Sequence, residues 1–156
     1  MRTEFEYIYN YINHIDVECP QCSKKSVVKS NPNNRKQTKF SCMHCGKSNM
    51  WKGESNSFVF GVQSKKSNGI LIGQPVDCYF KFKLWYATSF KGETVFAYNN
   101  DHLNFIFDYI NDKLRTRSKE NGQWSNASLK SRLPKWMLKA DNRKGIIKKL
   151  NELIDK

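Results

Sequence analysis

The chain reads as an α+β protein, and three observations predict that class. Cys19-Pro20-Gln21-Cys22 and Cys42-Met43-His44-Cys45 flank two short strand-like stretches, and nineteen residues separate the two cysteine pairs. Residues 58–98 are rich in β-branched and aromatic side chains broken by polar turns. Beyond residue 100 the apolar positions change to helical spacing.

Residues 4–15 place Phe5, Ile8, Ile12 and Ile15 at helical spacing, with Tyr7 and Tyr11 alongside, which predicts an N-terminal helix; the aromatic content leaves a strand open. Next, Lys25–Lys29 around Val27 and Val28 forms one strand and Thr38–Ser41 its return partner. Asn31-Pro32-Asn33-Asn34 supplies the turn between them.

The cysteines stand at the base of this hairpin. Thiolates paired on a tight turn can both point at one ion about 2.3 Å away, and two such turns fill a tetrahedral sphere. The spacing falls in the window of a four-thiolate site, so Cys19, Cys22, Cys42 and Cys45 are the candidate ligands of one structural Zn²⁺. Gly46 follows the last ligand, where the turn calls for positive φ. A unit this small buries too little surface to fold alone, and metal binding supplies the missing stability.

Other uses of the cysteines fit less well. Disulfides need an oxidising compartment, and the first residues carry Glu4, Glu6, Asn10 and Asn13 instead of an apolar leader core. A redox pair usually occurs once, and a catalytic zinc keeps an open position. Cys78 lies in an apolar run and reads as a small buried hydrophobe.

From Trp51 onward, strands are expected at Phe58–Val62, Ile70–Ile72, Val76–Thr88 and Thr94–Tyr98, giving a small antiparallel sheet. Leu103, Ile106, Phe107, Ile110 and Leu114 define a helix capped by Asn100 or Asp101. Lys119–Gln123 is a loop, Ser125 or Asn126 caps a short helix through Leu133, and Pro134 interrupts it or opens the next segment. Asp141 or Asn142 caps a last helix striped by Ile146, Ile147, Leu150, Leu153 and Ile154. The organisation is thus an N-terminal helix over 1–16, a zinc ribbon over 17–53 and an α+β domain over 54–156, packed as one unit.

The net charge is +13, and its location matters more than its size. Residues 23–52 hold eight Lys or Arg and no Asp or Glu; residues 113–149 hold twelve against Glu120 and Asp141. An AT-rich genome explains many lysines but not thirty acid-free residues. The clustering is the footprint of a polyanion binder.

Lys24, Lys25, Lys29, Arg35, Lys36 and Lys39 beside Phe40, His44 and Trp51 interleave charge with rings, which suits single-stranded or distorted nucleic acid. Phe40 and Trp51 also suit a role in sealing the hairpin against the sheet. Arg115, Arg117, Lys130, Arg132 and Lys135 form a second basic set, with Trp136 as a core anchor. DNA and RNA are not distinguished.

Cys19-Pro20-Gln21-Cys22, Val27-Val28-Lys29, Phe40-Ser41-Cys42, Cys45-Gly46 and Trp51 resemble the zinc ribbons of transcription elongation factors and insertion-sequence transposition proteins, over residues 19–51. Ribbons that stimulate RNA cleavage carry acids at the hairpin tip, whereas this tip is Asn33-Asn34-Arg35-Lys36. Ala97-Tyr98-Asn99, His102-Leu103, Leu114-Arg115-Thr116-Arg117, residues 128–137 and Asn142-Arg143 resemble bacterial proteins described only as zinc-ribbon-containing. The resemblance implies a bacterial or phage protein and a single compact unit, and carries no activity.

No catalytic constellation stands out. Asp77, Glu93 and Lys81 or Lys83 caricature a metal-dependent nuclease centre, but acids and lysines on adjacent strands are common. The expectation is a cytoplasmic, non-enzymatic protein that binds nucleic acid through its backbone. The alternative is an adaptor docking onto a larger transcription, transposition or defence complex through its aromatic sheet. No apolar run approaches the roughly 20 residues of a membrane span.

Overall fold

The computed structural model describes residues 7–53, 58–59, 62–63, 70, 72–112 and 129–156. The chain enters through a 3-10 turn, Ile8–Asn10, and then forms a four-stranded antiparallel sheet in sequential order. Its strands are β1 (His14–Glu18), β2 (Lys25–Asn31), β3 (Asn34–Ser41) and β4 (Ser48–Met50). A two-stranded hairpin follows, β5 (Phe58–Val59) with β6 (Val62–Gln63), then a second, β7 (Tyr86–Phe90) with β8 (Glu93–Ala97). Helices α1 (Asn100–Asn111), α2 (Leu129–Arg132) and α3 (Ala140–Ile154) complete the described chain, with a 3-10 turn over Lys135–Leu138 before α3. The α+β class therefore holds. No helix among the described residues is long and apolar enough to cross a membrane.

The N-terminal helix is corrected to a single turn followed by strand β1. Ile12, Ile15 and Val17 are fully buried. β1 pairs with β2 from His14↔Lys29 to Glu18↔Lys25. β-Branched residues fit a pleated surface better than a helix, and sheet pairing overrides a short helical period. The other edge of β1 is also occupied: the Trp85 amide donates to the Asp16 carbonyl and the Glu18 amide to the Lys83 carbonyl.

The long strand expected over Val76–Thr88 is broken at Asp77, whose carboxylate accepts from the backbone amides of Tyr79, Phe80 and Phe82. Lys81 takes φ of 64° to complete the turn. The turn folds Phe80 and Phe82 onto each other and edge-on to Phe40, so these rings fill the core. The strand expected across Phe58–Val62 is instead two short antiparallel strands, and neither Ile70 nor Ile72 lies in a strand.

The β7–β8 hairpin closes on Lys91 and Gly92, both at positive φ, a two-residue loop matched to strand twist. Asn99, not Asn100 or Asp101, caps α1. Its Oδ1 accepts from the His102 amide, while Nδ2 donates to the carbonyls of Tyr11 and His14. One side chain thus starts the helix and ties down the entry segment. α3 begins after Lys139 without a side-chain cap. Asn142 instead donates to the Trp136 carbonyl.

Ile146, Leu150 and Leu153 bury the α3 stripe against Leu103, Ile106 and Ile110 of α1 and Val95 of β8. Ile154 falls at its exposed edge. Leu114, the expected loop at 119–123 and the expected caps Ser125 and Asn126 lie outside the described residues.

Candidate metal centre and basic face

Two knuckles with the same backbone logic build the centre. In the first, the Cys19 amide donates to the Lys24 carbonyl and the Ser23 amide back to the Cys19 carbonyl. In the second, Cys42 donates to Lys47 and Gly46 to Cys42. The fourth residue after each leading cysteine must take left-handed φ: Ser23 at 59° and Gly46 at 73°. Cys19 and Cys42 face inward and are buried, while Cys22 and Cys45 are half-buried.

The four sulfurs all lie within 4.8 Å of one another, with Cys19 to Cys45 at 3.7 Å and Cys22 to Cys42 at 3.5 Å. Four sulfurs held 2.3 Å from a shared tetrahedral ion would stand about 3.8 Å apart, whereas a disulfide needs about 2.05 Å. The cluster fits a metal ion and is compatible with one structural zinc, consistent with a zinc ribbon.

The surrounding donors favour thiolates. The Ser26 side chain, then the amides of Cys45 and His44, bring Cys42 down to about 5 against the burial that opposes them. At Cys22 the Lys24 amide pulls down, but burial and the neighbouring sulfurs win and push the thiol up to about 12. Four thiolates this close repel one another, and a divalent cation at their centre is what lets all ionise. Ser26 escaped the sequence reading; its only signal was an inward strand position two residues before Val28. Cys78 stands apart, buried, with its thiol pushed up to about 12 mainly by desolvation.

The structure sorts the basic residues. Lys25 donates to the Tyr86 hydroxyl at 2.9 Å and lies 3.5 Å from Asp16. Arg35 donates to the Tyr79 hydroxyl at 2.8 Å. Trp51 is buried edge-on against Tyr79 and does not face solvent. Lys24, Lys29, Lys36 and Lys39 are exposed.

Lys29 pairs directly with Lys39 across β2 and β3, in a row that runs His14, Lys29, Lys39, Met50 across all four strands. Neither lysine has an acidic partner among the described residues. Arg132 and Lys135 are exposed near α2, on a different part of the chain. Arg115 and Arg117 lie outside the described residues, as does the side chain of Lys130.

Asp77 is fully buried, and both its oxygens are engaged by backbone amides. Burial pushes its carboxyl up, against those amides. Lys83 pairs with Glu18 and Lys81 reaches the Cys78 carbonyl. These residues are thus committed to local structure.

The fold and the cysteine cluster define an α+β protein with a four-cysteine site that could hold a metal ion. Comparison with protein-family models, curated proteins and solved structures finds no match.

Proposed function

We propose that Cys19, Cys22, Cys42 and Cys45 hold one structural Zn²⁺, and that the outer face of β2 and β3 binds the phosphate backbone of nucleic acid without catalysing a reaction. The ion would supply cross-linking of the two knuckles and nothing more. The observation that carries the binding reading is the Lys29–Lys39 pair. Like charges directly opposite across strands destabilise a sheet. An exposed, acid-free pair of this kind is relieved when a phosphate lies between its members. Lys24 and Lys36 extend the same charge toward the knuckle and the hairpin tip.

Fluorescence anisotropy across a salt series tests this. Neutralising about five phosphates of a duplex predicts a log K versus log salt slope near −4.5, and Lys29→Ala or Lys39→Ala each removes about 0.9 from it. A flat salt response overturns the reading. Divalent-metal-dependent cleavage lost in Asp77→Asn would overturn the non-enzymatic half.

One observation favours an adaptor as the second reading: Met43, between two ligands, is 92% exposed. An exposed apolar tip on a rigid knuckle suits a protein partner. A partner retained on the wild-type chain after nuclease treatment, and lost in Met43→Ser, supports docking over nucleic-acid bridging.

A further inference from the structure

A cavity of about 150 Å³ lies between β8, α1, α2 and the turn that precedes α3. Phe96, Ile106, Leu129 and Met137 contribute apolar wall, and His102 and Arg132 line it as well. Among the described residues no Asp or Glu lines it. A volume of this order accepts a benzene ring when the walls are apolar.

His102 gives the cavity its chemistry. Its Nδ1 accepts the Tyr98 amide at 3.2 Å, so in the neutral ring the proton sits on Nε2. That Nε2 is buried and has no hydrogen-bond partner among the described residues. The ring is stacked on Tyr11 at 4.9 Å and on Tyr98 at 5.6 Å, which prevents it from turning to find one. Burial lowers its pKa to about 4, so it is an uncharged donor near neutrality. Orphaned buried donors are uncommon in folded proteins and call for a partner. Arg132 is exposed and has no acidic partner among the described residues.

We infer that this cavity binds a small organic acid: a compact apolar body sits among Phe96, Ile106, Leu129 and Met137, and a carboxylate oxygen accepts from His102 Nε2–H. Arg132 supplies the opposite charge. Two donors, no acid among the described lining residues and a ring-sized apolar volume select an anion over a cation, and a compact body over a long chain. The site is independent of the cysteine cluster and of any polymer on the lysine face.

The test uses the full-length metal-loaded chain, with benzoate and toluene as probes. Calorimetry should give saturable one-to-one benzoate binding, at least about 10-fold tighter than toluene, because the charge-assisted hydrogen bond is available only to the acid. Nitrogen-detected correlation spectra should show the His102 Nε2 signal moving with the same saturation. Arg132→Gln, at an exposed position, should weaken benzoate several-fold and leave toluene unchanged. Leu133→Trp, at another lining position, should abolish both. Equal affinities, no saturation below about 10 mM, an unmoved His102 signal, or a crystal soak with only water on Nε2 would each overturn the assignment.

Discussion

Strands β1–β4 bury Ile15, Val28, Thr38 and Phe40 on one face and leave Lys29 and Lys39 paired and exposed on the other. The layer formed by α1, α3 and the β7–β8 hairpin buries Ile106, Ile110, Ile146, Leu150 and Leu153 among one another. The first region packs Ile12, Ile15, Val17, Val28 and Phe40 with Phe80 and Phe82, and gathers four sulfurs at the edge of that cluster. The second is held by ordinary apolar burial. Small units lacking a sufficient core need a staple, whereas amphipathic helices need only a partner surface. The two regions should therefore fail under different insults.

The largest effect expected is from metal removal. Chelation or Cys42→Ser should remove the stability a structural zinc gives, about 10–16 kcal/mol in comparable sites. Native mass spectrometry should find one zinc per chain, lost on denaturation. Circular dichroism should show β1–β4 melting while helical signal from α1 and α3 persists in part. A metal-free chain with an unchanged spectrum would break the comparison.

The reverse perturbation is Leu150→Ala, at a fully buried position of α3. It should cost about 4 kcal/mol through lost burial and a residual cavity, read from the urea midpoint, with zinc stoichiometry unchanged. Loss of zinc in this variant would mean that the two regions form a single cooperative unit.

Acid supplies the third contrast. His102 titrates near 4 when folded but near 6.5 when unfolded, because burial disfavours its charged form. The unfolded chain therefore takes up the proton first. Stability is unaffected by this group above pH 6.5 and falls as pH drops toward 4, by up to about 3 kcal/mol. Ring NMR of the zinc-loaded chain separates this effect from protonation of the cysteines. A His102 ring titrating near 6.5 would contradict it.

Gly145 tests the packing of α3 on β7. A Cβ there would stand 2.5 Å from Cε2 of Phe90, whose ring stacks on Trp136. Gly145→Ala should cost about 2 kcal/mol from the clash, net of the roughly 1 kcal/mol that alanine gains in a helix. Phe90→Leu should rescue it.

The smallest effect concerns the two knuckles themselves. Gly46→Ala puts a side chain in open space but at left-handed φ, so it should cost about 1 kcal/mol from backbone strain alone. Ser23→Gly relieves the equivalent strain in the first knuckle and should be close to neutral, since glycine gives back chain entropy. Calorimetric zinc affinity separates the pair.

The cysteine spacing, the hairpin over Asn31–Asn34 and the stripes of α1 and α3 are legible from residues alone. Each rests on neighbours within a turn or a strand, where local geometry decides contact. The entry segment misled because Ile8, Ile12 and Ile15 satisfy helical spacing, while β2 offers His14–Glu18 a ladder that spacing does not reveal. Val76–Thr88 misled because Asp77 gives its oxygens to three amides and breaks an otherwise strand-like run.

The chain by itself determined that four thiols meet at the base of a basic hairpin and that two amphipathic helices follow. Only the tertiary structure decided which basic side chains remain free. Lys25 is claimed by Tyr86, 61 residues away, and Arg35 by Tyr79, 44 residues away, while Lys29 and Lys39 face each other in the open. It also left His102 with one nitrogen satisfied and the other without a partner among the described residues. Ligand spacing is a local property of a chain, whereas hydrogen-bond partners and cavities arise where distant segments meet.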